Sequence, residues 1–478
     1  MQSRSHSAGG IFFSLLIMLP MALSAQTFTT IVNFDSSNAA PGGALVKGAD
    51  GDFYGTAKNG GERGRGAVFS LNTAGTLTGL SNFYGKNGKT PTGLILGDDG
   101  NFYGTTYYGG LSGGGTIFKM DPQGYLTSLY SFEGVAYPSS QLIQGADGDF
   151  YGTTVNGGGS SAPGTVFKIT PDGALTTIYT FCSRSNCIDG RMPFGPLAQG
   201  PDGSFYGTTD SGGAREFYGT IFTLTPNGNL LTLHNFCSQP KCADGYQGNG
   251  LLLASDGSFY GTTSLGGSYT SRPCQRNGCG TIFKIDPDGT FTVLHTFCTE
   301  AGCPDGNQPG HLIQGTDGNF YGTTSLGGAN SSCPNSANGC GTVYQLTPSG
   351  QLTALHSFGG SDGMDAGLEL LQDTDGSFYG MTGAGGEYGY GTVFQFSMGL
   401  NPFVHMVRSF GEIGQTGAIL GQSLTGANAV FVNGIPADFT VVSDTLIEAT
   451  IPAGATSGYV TITTPGGTLV SDAILHVK

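Results

Sequence analysis

DGDFYGTT, residues 147–154, returns almost letter for letter as DGSFYGTT at 202–209 and DGNFYGTT at 317–324. The tyrosine of this octet stands at 54, 103, 151, 206, 260, 321 and 379, so seven copies follow one another at intervals of 48 to 61 residues. Such a period suits one four-stranded propeller blade and is long for a solenoid coil. The repeat over residues 142–181, LIQGADGDFYGTTVNGGGSSAPGTVFKITPDGALTTIYTF, holds four apolar segments: LIQG, FYGTT, GTVFKI and LTTIYTF. Asp-Gly joins the first two and Pro-Asp-Gly the last two, and both are strong hairpin signals. Four antiparallel strands in chain order, written seven times, predict an all-β fold: a seven-bladed β-propeller of four-stranded antiparallel blades.

Within the octet, the glycine is expected to give room for close backbone approach near the axis where blades converge. The phenylalanine lies on the same strand face and fills the gap between blades. In the third strand one position is polar in every repeat, Ser70, Lys119, Lys168, Thr223, Lys284, Gln345 and Gln395, and is read as facing a solvated rim. The fourth-strand pattern occurs eight times, because TFTTIVNF (27–34) precedes the first octet and FVHMVRSF (403–410) follows the last. The N-terminal copy is expected to close the ring beside the last blade, although either copy fits that place. From residue 411 the octet is gone, and β-branched residues alternate with Pro and Gly turns. The division expected is therefore 1–25 signal peptide, 26–410 propeller and 411–478 a small immunoglobulin-like β-sandwich that leans on the last blade.

Arg4 and His6, the apolar run 11–23 and the small residues Ser24 and Ala25 read as a secretory signal peptide, with no membrane span expected after it is removed. A formal net charge of −15 argues against a nucleic-acid partner, which would need basic patches. The 86 glycines lack the period of collagen and fit short strands joined by many turns. Ten cysteines fall into five local pairs: Cys182 with Cys187, Cys237 with Cys242, Cys274 with Cys279, Cys298 with Cys303, and Cys333 with Cys340. In an exported chain these read as disulfides, zinc being the alternative that the four-residue gaps allow. A monomer without cofactor or metal is expected, either secreted or held at the cell surface or in the periplasm.

With DGxFYGTT, GTVFK and the fourth-strand pattern repeated in order, the chain resembles the GloVer-type tandem repeats of choice-of-anchor bacterial exported proteins. Its tail, through IPAGATSGYVTITTPGG (451–467), is similar to IPT/TIG domains. The resemblance implies an exported, often surface-associated protein and brings no catalytic residues with it. No anchor is visible in this sequence.

Strand alternation puts the tight Asp-Gly and Pro-x-Gly turns on one face and the long, variable connections, with every cysteine, on the other. Irregular loops on a rigid scaffold are where binding is usually mounted. The candidate binding arc over blades three to six contains Arg184, Arg191, Phe194, Arg215, Phe217, Tyr218, Lys241, Tyr246, Tyr269, Arg272 and Arg276. His311 is added because it stands alone at the start of a first strand, near the channel mouth, where other repeats have Gly, Gln, Ala or Pro. His234, His295 and His356 share one repeated fourth-strand position with Tyr130 and Tyr179 and are read as structural. The many turn aspartates are read as turn chemistry, since none has the dense ligand spacing of a calcium loop. There is no nucleophile motif or phosphate loop. The function read is noncatalytic recognition or adhesion, the partner being an extracellular glycan, another surface polymer or a surface protein. With no tryptophan, Tyr and Phe would be the sugar platforms. The rival is a polysaccharide hydrolase or lyase drawing on Glu62, Glu133, Glu216, Glu300, Asp365, Glu369 or Glu387 at the channel mouth.

Overall fold

Asp-Gly folds each repeat back on itself by one device. In all seven copies the aspartate Oδ1 accepts the backbone N–H two residues on, for example Asp52 to Asp50, Asn101 to Asp99 and Ser377 to Asp375. The intervening glycine takes a left-handed φ, +84° at Gly148, which a side chain would oppose. The computed structural model describes residues 26–38, 40–157, 163–267, 274, 276–330, 333 and 338–478, so the proposed signal peptide lies outside the described residues. Seven four-stranded antiparallel sheets result, six of them simple meanders and the seventh completed by a strand from the N-terminal end of the described chain. In blade three the strands are Ile143–Gln144, Phe150–Thr154, Thr165–Ile169 and Leu175–Thr180. First strands of successive blades lie against one another around the axis.

The octet's tyrosine and phenylalanine point to opposite sides of their strand, and the structure puts each tyrosine on the phenylalanine of the next blade. Ring centroids are 4.1 Å apart for Tyr54 and Phe102, 3.9 Å for Tyr103 and Phe150, 4.2 Å for Tyr151 and Phe205, and 3.9 Å for Tyr206 and Phe259. Tyr260 meets Phe320 at 4.1 Å and Tyr321 meets Phe378 at 4.2 Å. Tyr379 returns to Phe53 at 4.4 Å, which closes the ring. Such pairs stabilise by about 0.5–1.5 kcal/mol beyond their burial.

In every blade the space the glycine leaves is filled by the third-strand aromatic ring directly opposite, and at Gly104 and Gly261 a first-strand carbonyl, of Gly93 and Gly250, approaches as well, which is the close backbone approach expected. Gly55 pairs with Phe69 and Gly152 with Phe167, and a Cβ on Gly152 would stand 2.7 Å from the Phe167 ring. The final threonine of the octet hydrogen-bonds a third-strand threonine, Thr154 to Thr165 at 2.8 Å and Thr209 to Thr220 at 3.0 Å. Blade one has alanine at both places, Ala57 opposite Ala67, so neither hydroxyl is left unpaired there.

The ring closes through Thr27–Asn33, which pairs antiparallel with Thr392–Ser397 as the outermost strand of blade seven. The other copy, 403–410, belongs to the sandwich and not to the propeller as the sequence division had it. His405–Met406 pairs with Thr416–Leu420, Phe410–Gly411 pairs with Gly467–Val477, and Val404 and Met406 are buried in the sandwich core with Ile419, Val430, Ile447 and Ile462. One sandwich sheet holds four strands and the other five. The sandwich rests on the tight-turn face more widely than the last blade alone. Arg408 pairs with Asp98 of blade two at 2.9 Å, Thr445 donates to the Ala49 carbonyl of blade one at 2.7 Å, and Gln422 donates to Asp373 of blade seven at 3.2 Å.

At the same end a glutamine clamps successive blades. Gln144, Gln199, Gln314 and Gln372 each accept the N–H of the preceding blade's turn and donate to a glycine carbonyl of their own. In blade one Lys47 takes that position and reaches Asp373 of blade seven at 2.9 Å, in a pair buried to 8% and 1% side-chain exposure.

Two sets of variants check these contacts by chemical denaturation. Phe205→Ala, which opens the stack between blades three and four, is expected to cost about 3–5 kcal/mol, and Tyr151→Phe, which removes only a hydroxyl, about 1–2 kcal/mol. Asp373→Ala leaves Lys47 buried without its counter-charge and is expected to cost about 3–5 kcal/mol, whereas Lys47→Met with Asp373→Leu should come within about 1 kcal/mol of the parent.

Candidate functional site

The tight-turn face is saturated by its own side chains. The free oxygen of the turn aspartate accepts the hydroxyl of the octet tyrosine: Tyr54 to Asp50 at 2.7 Å, Tyr103 to Asp99 at 2.8 Å, and likewise Tyr151, Tyr260 and Tyr321. The polar third-strand residue joins them. Lys119, Lys168 and Lys284 pair with Asp99, Asp147 and Asp256, while Gln345 and Gln395 donate to the hydroxyls of Tyr321 and Tyr379. That position is part-exposed in every blade, as a strand near solvent requires, and its Lys and Gln side chains tie the turn network together there. Burial works to raise the Asp99 carboxyl, yet hydrogen bonds from Lys119, Tyr103 and Asn101 hold it below the ordinary carboxylate range.

On the opposite face, three blade-to-blade loops spell C-x4-C-x-D-G and are built around the aspartate. Asp189 accepts from Tyr179 at 2.7 Å and from the backbone of Ser183; Asp244 bonds His234 at 3.0 Å, and Asp305 bonds His295 at 3.0 Å. His356 makes the same contact with Asp362 at 2.8 Å. These histidines hold loops, as the sequence suggested. All ten cysteines form the five local disulfides. The buried sulfurs of Cys274, Cys279, Cys298 and Cys303 lie within 4.8 Å of one another, which is a donor set zinc accepts. The Cys298–Cys303 loop nevertheless has the same left-handed cysteines as the loops of Cys182–Cys187 and Cys237–Cys242, where only one pair of sulfurs is present to join. One loop design with one local bridge accounts for all three.

The predicted binding arc is only partly free. Arg184 donates to the Leu230 carbonyl, Arg191 to Ser211, and Arg215 reaches the sulfur of Cys237, so these arginines brace loops. Tyr218 packs edge-on against Tyr246 at 5.2 Å. Phe194, Phe217, Lys241 and Arg276 are exposed, Phe217 to 67%. Tyr269 and Arg272 lie outside the described residues. The sequence reading missed a tyrosine cluster in blades two and three: Tyr107 stacks on Tyr137 at 5.1 Å, and Tyr108, 44% exposed, stands edge-on to both. Tyr84, Tyr388 and Tyr390 are exposed on the same face in blades one and seven. Their signal was available, since all of them are aromatics outside the repeated positions.

His311 lies deeper than the expected channel mouth, on Asn307–Gln314 in line with the middle of the octet strand. Each blade has one residue at this level, just before an inward leucine: Ala44, Gly93, Gln141, Pro196, Gly250, His311 and Glu369. His311 and Glu369, on neighbouring blades, line a small channel pocket with Pro196, Gly250, Leu252 and Thr262. A Cβ on Gly250 would stand 3.3 Å from the His311 ring, so the glycine makes room for it. Burial alone draws His311 down to about 4 and pushes Glu369 up to about 7.

Family models match on both parts of the chain. The Gloeobacter/Verrucomicrobia repeat matches residues 2–198, 183–332 and 270–433, and the IPT/TIG domain matches 402–476. The chain belongs to the Gloeobacter/Verrucomicrobia repeat family. No curated protein matches the sequence. Among solved structures, a streptogramin B lyase is similar at 15% identity and a TM-score of 0.53, covering 78% of this chain and 97% of its own. A PQQ-bound aldose sugar dehydrogenase from Streptomyces coelicolor is similar at 12% identity and a TM-score of 0.41, over 78% and 98%. The likeness to the lyase is one of fold. The IPT/TIG match starts at 402, in agreement with the strands that place 403–410 in the sandwich. No helix among this family member's described residues is long and apolar enough to cross a membrane.

Of the seven carboxylates proposed for hydrolysis, Glu369 lines the channel cavity and none of the other six does. Glu62 instead accepts from Tyr84 at 3.2 Å, and Glu387 is held to Asn33 through its backbone.

These two channel residues give a pH signature. A histidine lowered from 6.5 to about 4 burdens the fold below pH 4, and the burden disappears by 6.5; a glutamate raised from 4.5 to about 7 burdens it above 7 and not below 4.5. The two slopes oppose each other. Glu369→Gln should therefore unmask stability that rises by up to about 3 kcal/mol from pH 4 to 6.5, and His311→Gln stability that falls by as much from pH 4.5 to 7, in urea midpoints measured across pH.

Proposed function

We propose that this is an exported, noncatalytic recognition protein that binds a polysaccharide or similar cell-surface polymer on the long-loop face of its propeller. The observation that carries the reading is the division of the two faces. The sandwich rests on the tight turns, while all the exposed propeller aromatics among the described residues except Tyr125 gather at the opposite end: Tyr84, Tyr108, Phe194, Phe217, Tyr388 and Tyr390. Exposed aromatic rings beside polar loop groups are a surface on which sugar rings stack. The surface is wider than the arc of blades three to six and includes blades seven, one and two. Five disulfides suit an oxidising compartment outside the cytoplasm. A two-carboxylate hydrolase is less favoured because one carboxylate, Glu369, reaches the channel cavity.

The test applies the full chain to a panel of soluble and insoluble polysaccharides, scoring retention together with release of reducing or unsaturated ends. Retention without release is expected, and Tyr108→Ala and Phe217→Ala should each weaken it by about tenfold with unchanged thermal unfolding. Chain-end release that tracks binding would overturn the noncatalytic reading; undiminished retention in both variants would move the surface elsewhere.

A further inference from the structure

Charge is not spread evenly over this protein. In a chain of formal net charge −15, residues 58–89 hold five basic side chains, Lys58, Arg63, Arg65, Lys86 and Lys89, and one acid, Glu62. The fold carries them to the loop face. Arg63 and Arg65 lie between the second and third strands of blade one, and Lys86 and Lys89 lie where the chain passes from Leu77–Asn82 into the first strand of blade two, Lys89–Leu96. Printed contacts join them to the tyrosines in one strip. Arg65 donates to the Tyr84 carbonyl at 2.8 Å, and the Arg63 guanidinium lies 5.3 Å from the centre of the Tyr84 ring. The Arg65 carbonyl accepts from Thr90, next to Lys89, at 2.8 Å. Lys89 stands opposite Tyr108 in the antiparallel pair of blade two, and Tyr108 lies edge-on to the stacked rings of Tyr107 and Tyr137. The pairing that neutralises the other end is missing here. At the tight-turn end Lys47, Lys119, Lys168, Lys284 and Arg408 each meet a carboxylate at 3.1 Å or less. Arg63, Arg65, Lys86 and Lys89 are all exposed, and none of them forms an ion pair with a described residue. Glu62 is taken by the Tyr84 hydroxyl, and the part-buried Lys58 lies within reach of the Asp365 charge.

We propose, on the basis of the loop-face reading, that this strip makes the polymer site selective for an anionic polysaccharide, a chain whose sugar rings carry carboxylate or sulfate groups. Four unpaired cations form a local positive field on a molecule that otherwise repels anions, and such a patch steers and holds a negatively charged ligand. An arginine fork takes two oxygens of one carboxylate or sulfate, and a lysine meets the same groups as a point charge. Arg65 keeps further N–H donors after its bond to the Tyr84 carbonyl. The tyrosines between the cations offer ring faces to the C–H sides of sugars. A chain laid across Arg63, Tyr84, Lys89 and Tyr108 therefore meets charge and ring in turn, as its own anionic groups and sugar rings alternate. The strip is short, and exposed acids, Glu133 and Glu387, stand on the connections to either side of it. That suits a flexible single polymer better than the dense, regular phosphates of a nucleic-acid duplex, which need a longer basic track.

The test extends the polysaccharide panel for the full chain with pairs matched except in charge: polygalacturonate with its methyl ester, and dextran sulfate with dextran, duplex DNA serving as the nucleic-acid arm. At least one charged polymer should be held about tenfold more tightly than its neutral counterpart at about 50 mM NaCl, and most of that margin should vanish at about 500 mM. Whether the carboxylated or the sulfated chain gains more identifies the anion, and either gain supports the proposal. Lys86→Gln combined with Lys89→Gln should reduce the margin by about tenfold with unchanged thermal unfolding, whereas Lys241→Gln, which removes a basic residue exposed on the same face beyond blade four, should leave it in place. Equal retention of charged and neutral partners, or a margin that survives in the double variant, would overturn the anion selectivity and leave polymer binding at the loop face standing. Duplex DNA held more tightly than either charged polysaccharide, and released by the double variant, would overturn it in favour of a nucleic acid. Retention of no polysaccharide in the panel would overturn both readings together.

Discussion

The stack of each blade's tyrosine on the next blade's phenylalanine is the contact on which this ring depends. It is a heterologous contact: the two partners lie on opposite sides of one strand, so every blade presents one ring forward and one back. Such a contact propagates until the geometry closes, and here Tyr379 meets Phe53. The same tyrosine hydroxyl is tied to the turn aspartate in five blades, so the group that joins neighbouring blades also fixes the turn that forms its own. A change at one octet position is felt in a hairpin and in an interface together, which is a physical reason for the same letters to recur.

Blade number, strand order and the two-faced division of loops were legible because their signals are local: a turn motif, a period of two and a fixed repeat length. The limits of that reading are visible in single residues. Alternation places Tyr151 opposite Phe150 on its strand but does not say that the ring of Phe205 lies beyond it. Gly152 signals that space is needed, and only the cross-strand register shows that Phe167 fills it. Lys168 looks like any polar residue on a strand near solvent, and only the structure shows that its ammonium pairs with Asp147 of its own blade's turn. The copies at 27–34 and 403–410 are equivalent as strings, and tertiary burial decides between them, Val404 and Met406 joining a different core.

The two faces differ in how much freedom they leave to evolve. On the turn face, Asp-Gly turns, tyrosine hydroxyls, lysines and glutamine clamps use up one another's hydrogen-bonding capacity, and Lys47 with Asp373 completes the series at the seam where the chain ends meet. A module can be placed there without disturbing the blades, and the sandwich is. On the loop face four of the blade-to-blade connections are anchored at the base by a His–Asp or Tyr–Asp contact, and in five loops a disulfide closes a small ring of chain. Small closed loops restrict the unfolded chain only modestly, by about 2 kcal/mol each, so their effect is local: they hold a loop's shape while its remaining residues vary.

A ring of near-identical blades is symmetric, and a small ligand is not. Recognition in such a scaffold has to come from residues that depart from the repeat while their surroundings keep to it. Phe217 and the tyrosine cluster depart in length and composition of a loop, where departures are common and say little. His311 and Glu369 depart at a position where the following leucine recurs in every blade, so the change cannot be attributed to loop drift. Each also carries a desolvation cost that a glycine or alanine at the same level would avoid, with no contact in the described protein to offset it.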